Sequence, residues 1–288
     1  MVYGPKVSAV IPTLNEAENL PHVFARIPDC VDEVIVVDGL STDDTVGVVS
    51  SISPRARIVL QRGQGKGDAL ACGFAAATGD IIVALDADGS TDPAEIPNFV
   101  APLLRGADFV KGSRYMRADG GGSADLSRVR SFGNRGLSLT VNLLFGTRFT
   151  DLCYGFNAFW RDCLPYLQVD CDGFEVETVL SVRAAKAGLT MMEVASFEHQ
   201  RINGLSNLKA WRDGKRVLRT ILRERMTGRL IPCDDWKPDF DEVVRGQLQI
   251  LSKPPMVAKR SSSPGDLIEP AKRPSSPGDL TEPAPVPS

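Results

Sequence analysis

Short apolar runs bounded by polar turn residues recur through the first 115 residues. KVSAVIP, VDEVIVVDG, ARIVLQ, GDIIVALDADG and ADFVKGSRY read as five strands. Between them lie four helix-like stretches. NEAENLPHVFARIP carries Pro21 near its start, and STDDTVGVVSSIS opens on Ser, Thr and Asp capping residues. GKGDALACGFAAAT is opened by glycine and rich in alanine, and DPAEIPNFVAPLLRG completes the set. Strands that alternate with helices predict an open, mostly parallel α/β sheet covered by helices on both faces.

After residue 120 the rhythm changes. GGGSADLSRVRSFGNRGLSLTVNLLFG reads as a loop running into a helix, and TDLCYGFNAFWRD as strand and turn. DGFEVETVLSVRAAKAG is a helix, LTMMEVASFEHQR a strand and SNLKAWRDGKRVLRTILRER a basic helix. From about residue 232 prolines accumulate and apolar periodicity ends. KRSSSPGDLIEPA (259–271) is followed at once by KRPSSPGDLTEPA (272–284). Two such units cannot bury enough surface to offset chain entropy, so 253–288 is expected to be disordered. The expected organisation is one domain over 1–231, split into 1–115 and 116–231, then a linker and tail over 232–288.

Composition narrows the class without naming it. The 288 residues are 43% hydrophobic and 24% charged, with a formal net charge of −3. That is ordinary for a globular chain and gives no global signal for nucleic acid. Cys30, Cys72, Cys153, Cys163, Cys171 and Cys233 include no C-x-x-C pair, so neither a zinc site nor a redox dithiol is expected. The N-terminus enters a strand without a basic and apolar signal region. The longest apolar stretch, LSLTVNLLF, is about half of what spanning a bilayer requires. A cytoplasmic protein, peripheral to a membrane at most, is expected.

The chemistry gathers where the strands end, as ligands do in open parallel sheets. Strand one ends in PTLNE, strand two in VVDGLSTDD, strand four in LDADGS and strand five in KGSRY, with GQGKGDA between strands three and four. Neither a dinucleotide fingerprint nor a P-loop is present. Asp86 and Asp88 read either as a solvated turn or as hard oxygen ligands that join Mg²⁺ or Mn²⁺ to a diphosphate.

These motifs, in this order, resemble inverting family-two glycosyltransferases of the GT-A fold. The likeness runs on through GSRY, FEVETVLSVRAAKAG and RINGLSNL, covers about residues 5–225, and is nearest to the dolichol- or polyprenyl-phosphate mannose synthase branch. The resemblance implies a nucleotide-sugar donor over the first four strand ends. Pro12, Asn15, Glu16 and Asp38 would hold base and ribose, with Gly65, Lys66 and Ala87 nearby, and Asp86 and Asp88 would hold the cation. Alternatively, Glu16 and Asp38 serve capping or turn chemistry. The chain departs from the branch at Ser90, at Asp38 without an adjacent acid, and at Asn207 where a lysine is common.

The acceptor is less constrained. A lipid phosphate needs positive charge, available from Arg114, Arg128, Arg130, Arg135 and Arg201, with Ser206 and Lys209 close by. A neutral hydroxyl needs a base instead. Asp151 is the first candidate, with Glu175 and Glu177 behind it, and a structural role for Asp151 is the other reading. The expected catalytic set is Asp88, Arg114, Asp151 and Arg201. Residues 201–229 carry nine basic side chains against two acidic ones. Leu208, Trp211, Lys215, Leu218 and Leu222 recur there at helical spacing, the pattern of a helix lying on an anionic membrane or of one packed on the core. Three functions compete: hexose transfer, most simply of mannose from GDP-mannose, to polyprenyl phosphate; transfer to a soluble molecule or lipid hydroxyl; and a non-catalytic nucleotide-sugar-binding scaffold.

Overall fold

The computed structural model describes residues 4–204 and 209–228. The linker, the repeat tail, Ser206, Asn207 and Leu208 lie outside the described residues. The first half alternates as predicted: β1 (Val7–Thr13), α1 (Leu20–Phe24), β2 (Glu33–Asp38), α2 (Thr45–Ile52), β3 (Arg57–Leu60), α3 (Gly65–Ala76), β4 (Ile81–Ala84), α4 (Ile96–Leu104) and β5 (Phe109–Ser113). There follow β6 (Gly122–Ser123), α5 (Arg128–Phe145), β7 (Asn157–Trp160), α6 (Leu164–Leu167), α7 (Val176–Ala187), β8 (Met191–Ala195), β9 (Phe197–Glu198) and α8 (Ala210–Met226).

Seven strands form one sheet in the order β3-β2-β1-β4-β7-β5-β8. All neighbours are parallel except β7, which runs antiparallel between β4 and β5. The central strands are buried on both faces, which explains their near-continuous apolar runs. Val10, Ile35, Val37 and Ile82 pack under Leu70 and Phe74 of α3 and Val179 and Leu180 of α7. Ile11, Val36, Ile81 and Val83 pack on the other face against Leu20, Val49 and Phe99.

Two elements are shorter than the sequence pattern predicts, and both shortfalls lie at strand ends. Helix α1 has five residues rather than the span from Asn15 to Pro28. Asn15 stands at φ 58°, and the amides of Glu16 and Ala17 donate to Thr45 and Asp43 instead of entering a helix. Strand β4 stops at Ala84, so Asp86 and Asp88 lie in the loop beyond it rather than on the strand.

A third cluster joins α5, α7 and α8 through Val141, Val182, Val217 and Ile221. Helix α8 is pinned there by buried Glu224, which accepts from Arg183 at 2.8 Å and Lys186 at 3.0 Å. Burial alone would raise the Glu224 carboxyl, but Arg183 and Lys186 outweigh it and hold it below the ordinary value. The opposite side of α8 leaves Trp211, Leu218, Leu222 and Met226 exposed among Arg212, Lys215, Arg216 and Arg219. The core-packing reading therefore holds for one side of the helix. Its Val217–Ile221 side packs on the core, and its Trp211 side faces outward. Helix α5 exposes a similar stripe, Val129, Phe132, Leu139 and Leu143, at helical spacing.

Replacing Glu224 with Ala strips a buried partner from Arg183 and Lys186 and is expected to cost about 3 kcal/mol in urea unfolding. The exposed control Arg219→Ala should stay within about 0.5 kcal/mol. Because the Glu224 carboxyl is held low, its contribution is present at neutral pH and should fade as acid protonates it.

Candidate functional site

Strands β2, β1 and β4 are parallel neighbours, so their carboxyl ends form one edge. In register, Pro12 stands opposite Val37 and Thr13 opposite Asp38. The two loops beyond are knitted by their own polar groups. Asn15 Oδ1 accepts from the Thr42 amide at 2.7 Å, Ser41 Oγ accepts from the Asn15 amide at 2.9 Å, and the buried Asp38 carboxylate accepts from the Ser41 amide at 3.2 Å. Asn15 and Asp38 thus shape the rim on which they were expected to bind a ligand.

The loop after β4 carries the charge. Lys66 Nζ, from the first turn of α3, lies 2.6 Å from Asp86 Oδ1 and 2.9 Å from Glu177 Oε1 of α7. Burial alone would lower the Lys66 pKa, but Asp86 and Glu177 outweigh it and hold it above the ordinary lysine value. Asp88 Oδ1 accepts from the Ser90 amide at 2.9 Å, and Asp88 Oδ2 lies 2.6 Å from Arg201 Nη2. Arg201 Nη1 lies 4.0 Å from Glu16 Oε1. Burial raises the Glu16 carboxyl, and Asp88 and Asp86 push it the same way against Asn19 and Arg201. Glu16, Lys66, Asp86, Asp88 and Arg201, drawn from four separate motifs, therefore form one cluster, with Ala87 buried between the two aspartates.

Two glycines permit this packing. A Cβ on Gly155 would sit 2.6 Å from Lys66 Nζ and 3.1 Å from Asp86 Oδ2. Gly89 stands at φ 77°, and a Cβ there would meet Ile202 Cδ1 at 2.5 Å.

Asp86 and Asp88 fit the donor chemistry of a hard divalent cation. Among the described residues no group of three or more His, Cys, Asp and Glu side chains is arranged to hold a metal. Two carboxylates with the remaining ligands from diphosphate and water is the way such a cation is commonly bound beside phosphates.

The acceptor expectations divide. Asp151 is fully buried, accepts Arg114 Nε at 2.7 Å and Nη2 at 2.9 Å, and accepts Asn134 Nδ2 at 2.7 Å. Asp151 is thus enclosed by donors and out of contact with solvent, and it holds Arg114 in place. Arg114 in turn gives Nη1 to Glu198 at 2.9 Å and lies over the Tyr154 ring. Three of its donor bonds are thus made within the protein. Arg130 pairs with Asp125 at 3.4 Å. Lys209 is exposed, and its amide caps α8 by donating to Asp213. Glu175 is tied to Arg216 at 2.9 Å.

Beside the end of β5 a cavity of about 320 Å³ opens, lined by Arg114, Arg117, Arg128 and Arg135 with Tyr115 and Phe132. One strand, β7, separates β4 from β5, so the carboxyl ends of β4 and β5 lie on one edge of the sheet about 10 Å apart. Arg117 was not singled out from sequence, although its place just after KGSRY is the signal. Glu177, read only as a secondary base, is the buried partner of Lys66 and accepts from Asn157 Nδ2 at 2.7 Å. No periodicity in FEVET says that it faces α3.

Residues 8–165 match the model of glycosyl transferase family 2, and the chain belongs to that family. It is 33% identical over 231 residues to glycosyltransferase AglJ of Haloferax volcanii, covering 77% of this chain and 72% of that one. It is 28% identical over 257 residues to a dolichol-phosphate mannosyltransferase of Pyrococcus furiosus, covering 86% and 69% respectively. Among solved structures it resembles glucosyl-3-phosphoglycerate synthase of Mycobacterium tuberculosis in complex with Mn²⁺, UDP and glucosyl-3-phosphoglycerate. There the TM-score is 0.61 at 29% identity, over 80% of this chain and 82% of that one. The chain is a glycosyltransferase with a GT-A fold.

Replacing Asp151 with Ala leaves a buried guanidinium short of its partner and is expected to cost about 3 kcal/mol of stability in thermal or urea unfolding. A fully stable variant with a lost rate would restore the base reading.

Proposed function

We propose that the chain transfers a hexose, mannose from GDP-mannose first among them, from a nucleotide diphosphate sugar to the phosphate of a polyprenyl lipid. The observation that carries this reading is the cavity beside β5. Arginine forks suit phosphate oxygens, and here Arg117, Arg128 and Arg135 share a cavity with Tyr115 and the exposed ring of Phe132. The dolichol-phosphate relative supports the same acceptor class.

In this reading Pro12, Asn15, Glu16, Asp38 and Gly65 hold the base and ribose, and Asp86 and Asp88 hold Mg²⁺ or Mn²⁺. When bound, such a cation neutralises charge collecting on the diphosphate leaving group. Lys66 is fixed beside Asp86 by Glu177, so it adds a permanent positive charge at that spot. Arg117, Arg128 and Arg135 hold the acceptor phosphate. One of its oxygens forms the bond to the anomeric carbon while the bond to the donor diphosphate breaks, and the electron pair leaves with the nucleoside diphosphate. The anomeric configuration inverts. A phosphate dianion carries no proton on the attacking oxygen, so no side chain has to remove one, in keeping with a saturated Asp151.

The outward stripes of α5 and α8 support peripheral contact with an anionic membrane. Trp211 and Met226 are 82% and 87% exposed within a basic surface. No helix among the described residues is long and apolar enough to cross a membrane. A second reading, transfer to a small phosphorylated acid, draws on the mycobacterial structural relative and on the same arginines.

The two separate in one assay. The protein is incubated with labelled GDP-mannose or UDP-glucose, with polyprenyl phosphate in vesicles or with 3-phosphoglycerate. Label entering the organic phase only with polyprenyl phosphate is expected, and label entering a water-soluble phosphorylated product would favour the second reading. Chelator, or Asp88→Asn, should stop transfer. Arg117→Ala should raise the acceptor KM about tenfold and leave the donor KM nearly unchanged.

A further inference from the structure

Both oxygens of Asp88 are already engaged, one by the Ser90 amide and the other by Arg201. The two cations that face the expected metal ligands are not held alike. Lys66 is rooted in α3 and gripped by Glu177 as well as Asp86, so it keeps a partner if Asp86 takes another. Among the described residues Arg201 has Asp88 at 2.6 Å and otherwise only a distant Glu16 at 4.0 Å. It also sits on a segment without regular secondary structure. That segment is tied to the Asp86–Ser90 loop by the His199 amide on the Ser90 carbonyl at 2.8 Å and the Ile202 amide on the Asp88 carbonyl at 3.1 Å. Ile202 closes the contact by lying on Gly89.

We infer that Arg201 is the resident counter-ion of the cation site, leaving Asp88 when a divalent cation enters and releasing residues 199–204 from the metal-site loop. The inference rests on the reading of Asp86 and Asp88 as cation ligands, and it is independent of which acceptor is used. A divalent ion on Asp88 would lie close to the Arg201 guanidinium, 2.6 Å from Oδ2, and like charges at short range in a partly buried setting repel. Arg201 has no second close carboxylate to hold it there, so it is the group that gives way. Lys66 offsets Asp86, so without Arg201 it is Asp88 and the nearby Glu16 that would lack a counter-charge. Arg201 makes the empty cluster tolerable, and the arriving cation takes over that duty. The displaced guanidinium is then free for an anionic partner. Cation entry thereby precedes, and enables, the use of Arg201 elsewhere in the site.

The test is Mn²⁺ titration of the full chain followed by electron paramagnetic resonance, without nucleotide, together with hydrogen exchange at His199 and Ile202. Arg201→Gln is expected to bind Mn²⁺ about tenfold more tightly than the unaltered chain, and Arg201→Lys to change it less. Saturating Mn²⁺ should speed exchange at the two amides in the unaltered chain. In Arg201→Gln they should exchange fast already and ignore Mn²⁺. Asp88→Asn should lose the ion. Equal Mn²⁺ affinity in Arg201→Gln and the unaltered chain, with Asp88→Asn weakened, would overturn the exchange while leaving the cation reading intact. Unaltered binding in Asp88→Asn would remove the cation reading itself. Binding in none of the proteins would also overturn the inference, because Arg201 would then not be what holds the ion out.

Discussion

Acidic side chains collected at the ends of buried strands survive only where positive charge or hydrogen-bond donors meet them, since an unpaired buried carboxylate is far too costly. Asp38 is met by the Ser41 amide, and five other acids at this edge are met by three cations. Lys66 stands between Asp86 and Glu177, Arg201 against Asp88, and Arg114 between Asp151 and Glu198. The three pairings draw on α3, α7, the end of β5 and the segment after β9. Each therefore locks two distant stretches of sequence together at the edge where ligands bind.

That requirement sorts the basic residues into two populations. Arg114 and Arg183 are buried and saturated, and they hold the fold around the site. Arg117, Arg128 and Arg135 line an open cavity, with Arg135 lying over the Tyr115 ring. Charge count alone cannot separate the two, but exposure and partners do. The same division runs along α8, where Glu224 and Asp213 face inward and the arginines with Trp211 face out.

Much of the sheet was legible because β1, β2, β4 and β5 are buried on both faces and so appear as unbroken apolar runs. The donor edge was legible for a related reason. Polar residues that follow such runs have few other places to go, and Glu16, Lys66, Asp86 and Asp88 do converge. The acceptor half was harder. Asp151 looks in sequence like any acid after a loop, and only the fold reveals that Arg114 and Asn134 enclose it. Glu177 sits within a helix whose other residues are buried too, so no pattern distinguished it. The outward stripe of α5 was hidden because Leu139 and Leu143 resemble core residues in composition, and only packing against α7 and α8 shows which side remains open.

Strand β7 has a consequence for how the protein is made. It lies between β4 and β5 in space, yet it is synthesised more than forty residues after β5 begins. A nascent chain that has just completed β5 must keep the flanks of two apolar strands unpaired, because joining them directly would close the gap β7 has to fill. The polar stretch from Arg117 to Ser131 and the amphipathic α5 emerge from the ribosome during that interval. Only when Asn157–Trp160 inserts can β4 and β5 be joined into one sheet, and β8 is added at its edge later still.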